Sequence, residues 1–137
     1  GSEMCIRDRL SSLCFLMVAC FAPSGSVIAQ DAARGEQLFN KCRACHAVGV
    51  NARHKVGPEL NGIFGRKAGG AKDFNYSKAM RKAGGKGLVW NDTSLDSYLE
   101  APTKFLPKNK MAFIGIKDVN ERKDIIAFLK TQTGSGN

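Results

Sequence analysis

The run Cys42-Arg43-Ala44-Cys45-His46 constrains this chain more than any other feature of its 137 residues. Two thiols three positions apart on a helix lie on one face and can both add to the vinyl groups of a haem, while the adjacent His46 turns its imidazole onto the iron. That spacing is the signature of c-type haem attachment. Two other chemistries use similar residues. A structural zinc site needs four ligands, and Cys42, Cys45, His46 and His54 have no spacing that matches a known finger. A thioredoxin-like dithiol needs a strand before the pair and a βαβ pattern around it, and the sequence shows neither.

The residues before the motif read as an export signal. Arg7 and Arg9 precede an apolar run from Leu10 to Ala22, Pro23-Ser24-Gly25 breaks any helix, and Val27-Ile28-Ala29 supplies small residues for a peptidase. Residues 1–29 are therefore expected to be a signal peptide, cut after Ala29. The apolar run falls short of the roughly 20 residues a membrane-spanning helix needs. Two alternatives stay open: a retained anchor, and lipidation at Cys20 within Met17-Val18-Ala19-Cys20. Position 1 is glycine, so residues 1–9 are also open to being an assembly remnant.

Taking away 1–29 removes two basic and two acidic side chains, which leaves 19 basic against 10 acidic and the same net charge of +9 on 108 residues. Leu, Ile, Val and Phe then number 23 of those 108, about 21%, close to the level below which a chain cannot bury enough apolar surface to fold. A large apolar cofactor would complete such a core. Cys5, Cys14 and Cys20 lie in the export segment, so a framework of several disulfides is excluded for the remainder.

The patterning predicts short helices joined by long glycine-rich loops, with no convincing strand. Asp31 can cap a first helix running to about Ala44, with Leu38, Phe39 and Cys42 at helical spacing. A loop follows, punctuated by Gly57, Pro58, Gly62, Gly65, Gly69 and Gly70. Ser77 caps a short helix through Ala83, closed by Gly84-Gly85. Asp92 or Thr93 starts another that carries Leu95, Tyr98 and Leu99 and ends before Pro102. Asp118 to Glu121 has capping-box spacing ahead of Ile125, Ile126, Phe128 and Leu129. Loops this long in a small domain are expected to wrap something.

A haem iron has a second axial face, for which Met80 and Met111 are the candidates beyond the export segment. Met111 lies in the polar stretch Pro107 to Phe113, where two large apolar residues would be stranded unless they turned inward. A thioether there can approach from the side opposite His46, and Met/His ligation raises the reduction potential. Chain logic favours Met111. Met80 sits beside Arg81 and Lys82, and a lone methionine is ordinarily core packing.

With these residues in view, the chain resembles class I cytochrome c, most of all its bacterial c2-type members. The resemblance covers nearly all of 33 to 131: Gly35 with Leu38-Phe39, the haem motif, Gly57 to Gly62, Gly65-Arg66-Lys67, Trp90, Tyr98-Leu99, Pro102, Lys110-Met111 and the terminal helix Glu121 to Lys130. It implies that 30–137 is a cytochrome c domain of all-α class, with short helices and long loops wrapped on one covalent haem c. It implies His46 and Met111 as axial ligands, and Pro58 as the carbonyl that accepts a hydrogen bond from His46. It places Arg66, Tyr76 and Trp90 at the propionates, Tyr98 near the methionine sulfur, Phe113 at the haem edge and His54 as a loop bridge. Gly35, Phe39, Ile125 and Phe128 match the crossing of the terminal helices. Three departures stand out. Asn109 replaces a threonine usual two residues before the ligand, Met80 falls where an asparagine often sits, and Tyr76 to Trp90 is about three residues longer than in mitochondrial members.

The function implied is one-electron, outer-sphere transfer by a periplasmic carrier, not an enzyme. A small peroxidase is the alternative and would need an open axial site. Lys41, Arg53, Lys55, Lys104, Lys108, Lys110 and Lys117 flank the haem motif or the ligand loop and are expected to gather around the haem edge. Their expected partners are the acidic faces of redox complexes: a cytochrome bc1-type donor, and an oxidase or photosynthetic reaction centre as acceptor. Nucleic acid and stable membrane insertion after cleavage are not expected, and the carrier should be a monomer.

Overall fold

Asp31 opens the first helix by turning its carboxylate back onto the backbone N–H groups of Ala33 and Arg34, at 2.9 and 3.0 Å. The computed structural model describes residues 31–134, so the export segment and its expected cleavage after Ala29 lie outside the described residues. Helices α1 (Ala32–Leu38), α2 (Lys78–Gly85), α3 (Asp92–Glu100), α4 (Pro102–Phe105) and α5 (Val119–Thr131) follow in order. The only sheet-like pairing among the described residues is an antiparallel bridge between Lys67 and Val89. The class is all-α, as expected.

The frame is the crossing of α1 and α5. A methyl group at Gly35 would overlap the carbonyl of Asp124 and stand 2.9 Å from Cβ of Phe128, so only glycine lets the two backbones touch. Beside that contact Phe39 and Phe128 pack with ring centroids 5.4 Å apart. Phe39 and Ile125 are fully buried, each contributing about 1.5–3 kcal/mol of apolar burial. Asp124 ties the crossing from the polar side, accepting from the Asp31 N–H at 2.9 Å and pairing with Arg34 at 2.9 Å.

Three boundaries differ from the sequence reading: the end of α1, the end of α2 and the cap of α3. Helix α2 takes in Gly84 and Gly85, where the helix was expected to stop at Ala83, and one helix, α4, was not expected. Helix α1 stops at Leu38, not near Ala44, and tightens into a 3-10 turn over Phe39–Lys41. Apolar spacing of three and four cannot tell the two helix types apart, because side chains at i and i+3 share a face in both. The cap of α3 is Asn91, not Asp92 or Thr93: Asn91 and Ser94 exchange side-chain and backbone bonds at 2.9 and 3.0 Å. Pro102 forces Ala101 into an extended conformation and ends α3, and its fixed φ then starts α4 at the first helical position.

Helix α5 begins where the carboxylate of Asp118 accepts from Asn120 and Glu121 at 2.7 and 3.1 Å. One turn in, the buried Arg122 grips both oxygens of Asp96 on α3, at 2.7 and 3.3 Å. It also donates to the carbonyls of Ile116 and Lys117, both at 2.9 Å. The segment entering α5 is thereby pressed onto the end of α3, where Ile116 N–H donates to Leu99 O at 2.8 Å. Gly115, at φ +99°, lies so close to the Glu100 carbonyl that a side chain there has no room. Two loops hang from this frame. Loop 42–62 carries the haem motif and is tied to the end of α5 through Gly62 N–H to Gln132 O, and 106–117 carries Met111 and is tied to α3 through Ile116.

Candidate haem-binding site

Past the 3-10 turn the chain keeps winding. Cys42 and Arg43 N–H donate to Phe39 O, and Cys45 and His46 N–H donate to Cys42 O, at 2.8 to 3.2 Å. The two cysteines therefore stay on one side of a continuous turn, although it is not regular α-helix. Cys42 is half-buried against the core, Cys45 is exposed, and both are free thiols. Burial pushes the Cys42 thiol up to about 11. A redox-active dithiol requires the opposite shift, so Cys42 is not poised to act as a thiolate.

The adjacent imidazole is oriented by two neighbours. His46 Nδ1 lies 2.7 Å from Pro58 O, and a carbonyl only accepts, so Nδ1 carries the proton and Nε2 keeps its lone pair. Burial, the largest influence, lowers the ring's pKa and keeps it neutral. Gly57 supplies the space: a Cβ there would stand 2.8 and 2.9 Å from the two ring nitrogens. Gly57 N–H in turn donates to Cys45 O at 2.8 Å, which closes the loop back onto the motif. A neutral imidazole with a free Nε2 beside two thiols is the donor set a c-type haem requires.

The surrounding side chains leave a surface that needs covering. Tyr76, Leu60, Phe105, Leu106, Met111 and Phe113 pack against the core yet remain only partly buried. Val56 and Ile114, on the two loops, are 82% and 87% exposed. An apolar group packed against these partly covered side chains would bury them further, so the residues present fit a haem.

The two methionines are separated clearly. Met80 is buried at 8% exposure inside the core, with its N–H capped by Ser77 at 3.0 Å, and Met111 stands half-buried on its loop. Tyr98 packs between Trp90 and Phe105, at centroid distances of 5.0 and 5.8 Å. Burial pushes its hydroxyl up to about 12, so it stays a neutral donor at any physiological pH. Tyr98 Oη approaches Oδ1 of Asn109 at 3.5 Å.

Arg66 is anchored by donating to Glu59 O at 2.9 Å, with Glu59 Oε1 and Asn61 O at 3.4 Å. Its backbone carbonyl accepts from Trp90 N–H at 3.0 Å. The hydroxyl of Tyr76 accepts from Ala71 N–H at 3.3 Å, and burial raises its pKa. His54 accepts from Glu59 N–H at 3.0 Å and therefore donates through Nε2 to Lys72 O at 2.8 Å, bridging two loops.

The seven basic residues singled out in the sequence are all exposed, but four of them are engaged. Lys41 pairs with Glu121 at 2.6 Å, and Lys55, Lys110 and Lys117 donate to the carbonyls of Arg43, Asn75 and Glu100. Arg53, Lys104 and Lys108 have no such bond among the described residues. Sequence reasoning missed the Arg122–Asp96 grip and the bonding of Asn109. A buried arginine in an otherwise amphipathic helix and a polar residue beside the candidate ligand were the available signals.

The sequence pattern of the Cytochrome c family matches residues 32–133. Cytochrome c2 of Agrobacterium tumefaciens (strain II Chrys) is 56% identical over 99 residues, which is 72% of this chain and 89% of that protein. Cytochrome c2 of Blastochloris viridis is 40% identical over 122 residues, covering 89% and 91% of the two chains. Among solved structures, cytochrome c2 from Rhodospirillum centenum superposes with a TM-score of 0.72 at 40% identity, over 76% of this chain and 99% of that one.

Proposed function

The chain belongs to the cytochrome c family, and from that premise we propose that it carries single electrons between redox complexes through a haem held by Cys42, Cys45, His46 and Met111. It is a single-haem electron-transfer protein and not an enzyme. One observation carries the residue assignment: the turn over 42–46 presents two thiols and a neutral imidazole whose Nδ1 is committed to Pro58. When bound, the haem supplies a one-electron iron couple.

The protein's part is to hold, orient and insulate. Cys42 and Cys45 would hold the group as thioethers, and His46 would offer it Nε2 in the orientation that Pro58 and Gly57 impose. Met111 would offer its thioether from the other loop, at the position where an enzyme would need to admit a substrate. Phe113, Phe105, Tyr98 and Trp90 keep water from the apolar side, and removal of water raises the potential. Arg66 and Tyr76, with the indole of Trp90, are the donors available to carboxylate substituents. With His46 and Met111 both holding the iron, no position would be left for a substrate, and transfer would be outer-sphere with little reorganisation.

Docking is the second half of the function. The excess of basic over acidic residues favours acidic faces on a cytochrome bc1-type donor and on an oxidase or reaction centre, met in the periplasm after export. Arg53, Lys104 and Lys108 offer free charge, and Lys110 is held only by a 3.3 Å bond to a carbonyl. Lys41 is partly neutralised by Glu121. The second-order rate with a bc1-type donor should fall steeply as ionic strength passes about 0.1 M, where the screening length is about 10 Å. Lys110→Glu should slow the low-salt rate more than Lys130→Glu, because Lys130 on α5 is paired with Asp92. Lys41→Glu should also exceed Lys130→Glu, by less than Lys110→Glu. Stopped-flow rates indifferent to salt and to these lysines would refute the electrostatic docking.

A further inference from the structure

The segment that presents Met111 contains a turn that its own sequence disfavours. Pro107 and Lys108 occupy the centre of a turn closed by Asn109 N–H to Leu106 O at 3.3 Å, and Lys108 sits at φ +65°. Proline at the first central position and positive φ at the second is the pattern of a type II turn, whose second position belongs to glycine. A lysine there is strained by its Cβ. Something must hold the turn shut.

The side chain of Asn109 is placed to do so. Its Nδ2 donates to Leu106 O at 2.7 Å and to Pro102 O at 3.0 Å, the carbonyls of the first residue of α4 and of the residue just past it, each adding a second bond to one that already accepts a backbone N–H. Its Oδ1 accepts from Met111 N–H at 2.7 Å. The orientation of the carboxamide is fixed by these partners, since carbonyls accept and an N–H donates. One planar group thus joins the end of α4 to the backbone of Met111 across the strained residue. Past Met111 the chain folds back at once, Phe113 N–H donating to Met111 O at 3.0 Å.

We propose that Asn109 is the positioning residue for Met111: its carboxamide holds the Lys108 turn closed and so sets how firmly the Met111 thioether is kept at the iron. The idea rests on Met111 being the ligand and goes beyond it, because it assigns the strength of that ligation to a side chain that never touches the iron. Two opposing substitutions follow. Asn109→Ala removes four side-chain bonds and leaves the strain in place, so the loop opens more readily. Lys108→Gly removes the strain, and that relief exceeds the freedom glycine adds to the open loop.

The test uses holoprotein and reads the dissociation constant of imidazole for the oxidised iron, alongside the near-infrared sulfur-to-iron band and the melting temperature. Asn109→Ala should tighten imidazole binding roughly tenfold, the loss of about one net hydrogen bond to a semi-buried segment. Asn109→Asp keeps the acceptor but turns a carboxylate onto two carbonyls, so it should do at least as much. Lys108→Gly should weaken imidazole binding about twofold to fivefold, and should recover most of the loss when added to Asn109→Ala. As a control, Leu95→Ala should lower the melting temperature with little effect on imidazole affinity. Unchanged affinity in Asn109→Ala, or in Lys108→Gly alone if the alanine variant yields no holoprotein, would overturn the proposal. Failure of the ligand assignment is distinguishable, since the band would then survive Met111→Ala.

Discussion

Replacing Cys42 or Cys45 by alanine should reduce the yield of coloured, folded protein by about tenfold or more, because a group that binds only the native state supplies much of that state's stability. The physical grounds are in the belt of half-exposed apolar side chains. Leu60, Leu106, Met111 and Phe113 are only partly buried, and a haem packed against them would complete their burial. A single remaining thioether would still tether the group, but the hold would weaken at the turn that sets the geometry of His46. With neither, only His46 and the proposed ligand Met111 would be left to hold it. Acid-acetone extraction of the wild type should leave the colour with the polypeptide, and far-ultraviolet circular dichroism of the double variant should show lost helix. A colourless wild-type pellet would sink the assignment, as would a double variant with native helix content.

Met111→Ala should change the chemistry rather than the amount of protein. Loss of the thioether should erase the near-infrared sulfur-to-iron band and open the iron to exogenous ligands. The potential should drop by on the order of 0.1 V, a fraction of the roughly 0.8 V that axial ligands command. Met80→Ala should do the reverse. Met80 is a core side chain, so its truncation should cost about 2–5 kcal/mol of stability and leave the band in place. If Met80→Ala erased the band and Met111→Ala did not, the two roles would have to be exchanged.

The parts of this molecule that the sequence made legible are those where chemistry demands a fixed spacing. Thiols at 42 and 45 with an imidazole at 46 are readable because covalent attachment tolerates few arrangements. The terminal helices are readable because Gly35, Phe39, Ile125 and Phe128 must meet at a crossing with no room for a Cβ at Gly35. Less legible were features decided by which hydrogen bond wins locally. Asn91 took the cap of α3 because Ser94 could answer it, and a scan for single capping residues sees Asp92 equally well. Helix α4 was missed because a proline read as a stop was also a start. The charge of Lys41 was counted as free because Glu121, 80 residues later, is a neighbour only after folding. Asn109 was seen only as a departure from a family habit. Two of its bonds go to carbonyls of α4 and its C-cap, a helix that the sequence did not reveal.

The central claim is a single one-electron site with both axial positions filled, and a redox titration of the purified protein tests it most directly. One electron should be taken up per chain in a single wave with a slope of about 59 mV per tenfold change in the ratio of the two forms. The reduced protein should not change its spectrum under carbon monoxide. A two-electron wave, or a reduced iron that binds carbon monoxide readily at neutral pH, would contradict the account.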